Sequence, residues 1–178
     1  MLRSLKRRFR AYAARRQALI LTYHSIIPAP LPFTISHHLP VDRFEKQVAL
    51  LANRFRCVSL STLVGEIKQG KIEPYTVAIT FDDGFFNNFS VAYPILKHHG
   101  IPATVFLSVG YIGTPKLLWP EMLAIVLMSS EKKKITLDDR ELPLSSAREK
   151  TDAYLALTRG SRPTRRRKPK IVSTAFCS

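Results

Sequence analysis

The residues of this 178-residue chain whose types and spacing could do chemistry are Asp82 and Asp83. They close the apolar, β-branched run Val77-Ala78-Ile79-Thr80-Phe81 and are followed by Gly84. In parallel α/β architectures the loops leaving the carboxyl ends of strands form the functional face, and charges there need water, partners or a metal. Adjacent side chains on an extended strand point oppositely, so both carboxylates face one centre only if the backbone turns, which Gly84 permits. Taken alone, Asp-Asp-Gly is also a common turn sequence. Its position at the end of a buried strand is what favours a site.

A metal at such a pair would need further ligands. The chain has five histidines, His24, His37, His38, His98 and His99, and no two are four residues apart. His24 follows a strand and could approach the face that carries Asp82; the other reading is a hydrogen-bonded structural histidine. His37 and His38 fall in a loop before a helix and read as solvated. His98 and His99 end a helix just before Gly100, where a helix C-terminus favours them. Trp119 and Phe106 read as packing residues rather than sugar platforms. Cys57 and Cys177 lack the spacing of a zinc ribbon, a thioredoxin-type motif or a disulfide scaffold.

The elements that must hold these residues alternate. Strand-like runs are expected over residues 18–23, 57–60, 76–81 and 103–109, and helical patterns over 61–69, 89–99, 120–128 and 146–157. A further helix begins near Asp42, which with Glu45 resembles a capping box, and presents Phe44, Val48, Leu51 and Phe55 as one apolar stripe. Residues 134–144 suggest a hairpin around Asp138-Asp139-Arg140. This rhythm predicts parallel strands joined by crossover helices in one domain over residues 18–158. An eight-stranded parallel barrel takes about 250 residues, so the chain reads as an incomplete one.

Thr80-Phe81-Asp82-Asp83-Gly84 after a strand resembles the first signature of the polysaccharide deacetylases, the NodB-homology class or carbohydrate esterase family four. The resemblance extends from Leu21-Thr22-Tyr23-His24 through Phe44 and Leu51 to Pro102-Ala103-Thr104-Val105-Phe106-Leu107. It implies an α/β fold, a partial distorted (β/α) barrel of the glycoside hydrolase/deacetylase type, incomplete on the C-terminal side. It also implies a metal-dependent hydrolase that removes N-acetyl or O-acetyl groups from a carbohydrate. Carried over, Asp82 is the general base, Asp83 a ligand to a divalent metal, zinc in many relatives, and His24 a neighbour of that site. The family takes two more ligands from a His-x-x-x-His motif, which this sequence lacks. Ligand counting therefore predicts that the chain alone binds zinc weakly and has no appreciable deacetylase activity.

The net charge of +15 invites a nucleic-acid reading. Residues 1–16 and 159–178 each carry seven basic residues and no acid, which leaves 14 basic against 13 acidic residues between them. The body is thus an ordinary mixed surface, and nucleic acid is not the expected partner. The basic N-terminal segment 1–17 reads as a solvated helix, or its residues 1–16 could lie as a basic amphipathic helix on an anionic membrane. The tail 159–178 reads as disordered, or as the product of a changed reading frame near Thr158. No apolar run reaches the roughly 18 residues of a membrane span and no export signal is evident, so the reading leans to the cytoplasm. The competing functions are a noncatalytic carbohydrate-binding remnant and a basic-tailed binder of polyanions or membrane surfaces.

Overall fold

The computed structural model describes residues 18–29, 31, 35, 37–137, 140–160 and 172–175. In chain order the elements are β1 (Leu19–Tyr23), β2 (Ser25–Ile27), β3 (His38–Pro40), α1 (Val41–Arg54), β4 (Arg56–Cys57), α2 (Leu60–Gln69), β5 (Thr76–Phe81), a π-helical turn (Asn88–Ala92), α3 (Tyr93–His98), β6 (Ala103–Leu107), α4 (Trp119–Ser129), β7 (Lys134–Leu137), β8 (Arg140–Pro143), α5 (Ala147–Gly160) and β9 (Val172–Ala175). They fall into two compact units, one of residues 1–29, 39–108 and 171–178, the other of residues 30–38 and 109–170.

The first unit is an open, mostly parallel sheet of the kind that forms an arc of a β/α barrel. β5 is its centre, and all six of its residues are buried. β1 runs parallel to β5 with Tyr23 opposite Phe81, β4 pairs with Thr76 and Val77, and β6 pairs with Ile79 to Phe81. Burial on both faces explains why β5 reads as a continuous apolar run, while β1 alternates between half-buried and exposed positions. The core joins Val77, Ile79 and Phe81 of β5 to Phe44, Val48 and Leu51 of α1, the stripe expected from the sequence. Phe44 meets Tyr23 edge-on with ring centroids 5.1 Å apart.

Local details depart from the sequence reading for identifiable reasons. α1 has no capping box: its N-cap is Pro40, without a side-chain cap, and Asp42 lies inside the first turn. The chain between Asn88 and His98 is not one regular helix. Pro94 has no amide proton to donate, and the Tyr93 amide reaches back five residues to the Asn88 carbonyl, forming the π turn before α3. β9 is a strand within a tail whose charge suggests disorder. It pairs antiparallel with β6, Thr104 opposite Ala175, and its sequence Val-Ser-Thr-Ala lies outside the run of basic residues. Residues 1–17, 161–171 and 176–178 lie outside the described residues, as do Asp138 and Asp139.

The second unit packs α4 and α5 with the β7–β8 hairpin around Ala124, Leu127, Leu144, Ala153 and Tyr154, joined by Ile35. The Lys150 ammonium donates to the Met128 and Ser130 carbonyls at 3.0 and 2.8 Å, satisfying acceptors that a helix end leaves open. Trp119, expected to pack, is 44% exposed at the start of α4, because the buried positions Ala124 and Leu127 lie on one stripe of this helix. Among the described residues no helix is long and apolar enough to cross a membrane.

Candidate active site

The parallel register of β1 and β5 positions the site. Tyr23 and Phe81 are the last paired residues, and the Asp82 amide donates to the Tyr23 carbonyl at 2.9 Å, carrying the ladder one step further. His24 and Asp82 therefore leave the two strand ends side by side. His24 Nε2 lies 3.9 Å from Asp82 Oδ2, with both side chains more than a third exposed. The structure thus brings together two of the residues singled out in the sequence. Burial pushes the Asp82 carboxyl above its ordinary range, His24 pulls it back, and the adjacent Asp83 charge pushes it up again.

The turn that follows is sharper than one glycine would make it. Asp83 itself adopts φ +71°, and Gly84 follows at φ +72°. A non-glycine residue in this region is uncommon, although aspartate tolerates it better than most. Two successive left-handed residues break the strand's alternation, the backbone turn needed for both carboxylates to face one centre. Gly84 has a second constraint, since a Cβ there would lie 2.5 Å from Leu107 Cδ2 on β6.

Ser108, which the sequence reading passed over, donates its hydroxyl to Asp83 Oδ1 at 3.0 Å. It follows directly after β6, a neighbour of β5, so its place at a strand end was the available signal. Asn87 also went unnoticed: its amide nitrogen donates to Ser25 Oγ at 2.8 Å and its carbonyl oxygen accepts from the Ile26 amide at 3.2 Å. These bonds pin the start of β2 to the chain leaving the acidic turn.

The remaining histidines are placed differently from expectation. His37 and His38 are not solvated. Their side chains are 15% and 12% exposed, and both contact Glu121, itself 14% exposed. Burial pushes the Glu121 carboxyl up, but hydrogen bonds from His37 and His38 and the charge of His37 outweigh it and hold the group at about 2. His98 ends α3 and His99 caps it before Gly100, as the sequence suggests. Among the described residues, the grouping of three histidine, cysteine or carboxylate donors close enough to share an ion is this one, not the Asp82–Asp83 turn.

Residues 69–138 match the family model described as polysaccharide deacetylase. Over 106 residues the chain is 45% identical to YxkH of Bacillus subtilis (strain 168), a protein named for the same family, which covers 58% of this chain and 36% of YxkH. It is 36% identical over 73 residues to the poly-beta-1,6-N-acetyl-D-glucosamine N-deacetylase of Staphylococcus aureus (strain MSSA476), covering 40% of this chain and 25% of that one. The chain therefore spans about a third or less of these relatives' length. Its fold is similar to that of the Streptococcus pyogenes deacetylase PplD, with a TM-score of 0.50 and 23% identity over 61% of this chain and 50% of that one.

Proposed function

We propose that this chain, which carries a polysaccharide deacetylase segment over residues 69–138, takes part in hydrolysis of the N-acetyl amide of a carbohydrate to a free amine and acetate. The observation that carries the reading is the acidic turn at the end of β5, with Asp82 beside His24 and Asp83 turned by a positive φ. Water is a poor nucleophile at neutral pH, and a carboxylate within reach removes its proton as attack proceeds. Asp82 fits that role: it is accessible, and burial raises its pKa, which makes it a stronger base than a free aspartate. Hydrolysis of an O-acetyl ester would use the same removal of a proton from water.

The resemblance assigns Asp83 to a divalent metal. The described residues do not fit that ion by themselves, since Asp83 accepts a hydrogen bond from Ser108 and no trio of donors converges on the turn. Slow turnover is accordingly expected of this chain.

The test is acetate release from β-1,6-linked N-acetylglucosamine oligomers with zinc or cobalt added, comparing the chain with Asp82→Asn and Asp83→Asn. The expected result is slow release that both substitutions abolish. Release indifferent to both would remove these residues from the chemistry. Binding of the oligomer without any release, insensitive to salt, would place the chain among noncatalytic carbohydrate binders.

A further inference from the structure

We propose that His37, His38 and Glu121 form a divalent transition-metal site of their own, suited to zinc, within the second compact unit. The three residues come from two places in the chain: a turn leading into β3, and the first turn of α4. Consecutive residues on a regular strand would send their side chains to opposite faces. His37 lies in the turn and His38 opens the strand, with the His38 amide bonded to the Ile35 carbonyl at 3.1 Å. The two imidazole rings, 4.9 Å apart and nearly perpendicular, consequently present their Nε2 atoms to one carboxylate oxygen. His37 Nε2 lies 2.5 Å and His38 Nε2 3.3 Å from Glu121 Oε1. One ligand atom from each residue falls within 4.8 Å of the others.

The donor set is that of a borderline ion. Two imidazoles and a carboxylate match zinc and its neighbours better than calcium or magnesium, which take oxygen ligands. The spacing agrees. Tetrahedral bonds of roughly 2.0–2.1 Å hold ligand atoms about 3.3 Å apart, the separation already present between His38 Nε2 and Glu121 Oε1. The His37 contact would have to open by less than about 1 Å, within reach of side-chain rotation.

A second observation separates this cluster from an ordinary structural hydrogen bond. Glu121 Oε1 serves both rings while Oε2 is buried with no hydrogen-bond partner among the described residues. A native carboxylate oxygen is seldom left so, and a cation beside it would supply what the protein does not. Ile35, Ala124 and Leu127, all buried in the core of the same unit, mark an apolar setting in which such a cation would be held strongly. The ion would pin His37 and His38 to the head of α4, and three protein ligands leave one position for water or an anion.

The test is titration of the metal-free 178-residue chain with cobalt(II), read by its visible absorption, followed by displacement with zinc. One equivalent should bind with the intense bands of a four- or five-coordinate ion. His37→Ala, His38→Ala and Glu121→Gln should each weaken binding by at least roughly tenfold, whereas Asp83→Asn should leave it unchanged. Because Glu121→Gln and the alanine variants could lose structure, His38→Cys provides the independent check: it keeps a ligand and should add a sulfur-to-cobalt charge-transfer band absent from the parent chain. Absence of stoichiometric uptake by the parent chain would overturn the proposal. So would uptake lost in Asp83→Asn and retained in Glu121→Gln, or a His38→Cys chain that binds cobalt without the new band. None of these readings depends on acetate release, so failure here and failure of the deacetylase reading are distinct.

Discussion

The Ser108 hydroxyl donates to Asp83 Oδ1 at 3.0 Å, tying the second carboxylate of the acidic turn to the residue that follows β6. A carboxylate on a left-handed residue has no strand neighbour to fix its direction, and this bond supplies one. Removing it should cost about 1.5–3 kcal/mol of stability, the range for a hydrogen bond to a charged group. Urea denaturation of Ser108→Ala and Ser108→Thr checks this: the alanine should show the loss and the threonine, which keeps the donor, should recover most of it.

Gly84→Ala should destabilise the fold by about 1–3 kcal/mol. The positive φ costs an alanine roughly 1–2 kcal/mol, and the added Cβ meets Leu107 Cδ2 at 2.5 Å, a contact that displaces a flexible side-chain end rather than backbone. The double variant Gly84→Ala/Leu107→Ala would separate the two. Chemical denaturation should show the steric part relieved and the conformational part retained.

Asp82→Asn should raise stability at neutral pH even as it removes the proposed base. The folded protein raises the Asp82 pKa, through burial first and then, against the opposing pull of His24, through Asp83. The folded state therefore binds the proton more readily than the unfolded one, and stability falls as pH rises from the ordinary aspartate value of 3.8 through the raised one. The asparagine variant escapes that loss. Melting temperatures should exceed the parent's above this window and lose that advantage below it.

Tyr23 sets a limit on the alkaline side. Burial first, and then the charge on Cys57, push its hydroxyl up to about 12 from 10.0, and the neutral group donates to Gln47 Oε1 at 2.8 Å. A raised acid stabilises the fold fully below its unfolded pKa and loses that contribution as pH climbs through the folded value. Between pH 10 and about 12 the chain should therefore lose roughly 2–3 kcal/mol from this residue. Ultraviolet titration should find a late-ionising tyrosine signal that is missing in Tyr23→Phe, whose stability should fall less steeply across the same range.

Much of this protein was legible without coordinates because its information is local. The six residues of β5 are apolar or β-branched and all buried, so both the strand and its central place follow from composition over a short window. The stripe Phe44, Val48 and Leu51 lies at helical spacing and packs as expected. Asp82 and Asp83 are adjacent to that strand in sequence, which is why their position at its carboxyl end could be stated in advance.

What the tertiary structure decided depends on which distant segments meet. Asp83 joins Gly84 at positive φ in a turn whose next residues are held by Asn87 against Ser25, 62 residues away. Ser108 is 25 residues from Asp83, and no local pattern distinguishes it from other serines. His37 and Glu121 are 84 residues apart; before the chain is folded, two histidines before a helix look solvated and a glutamate in a first turn looks like a response to the helix dipole. Periodicity and propensity encode how a segment coils and which side it buries. They do not encode the path that brings one side chain against another, because that path is set by the packing of the whole sheet and its helices.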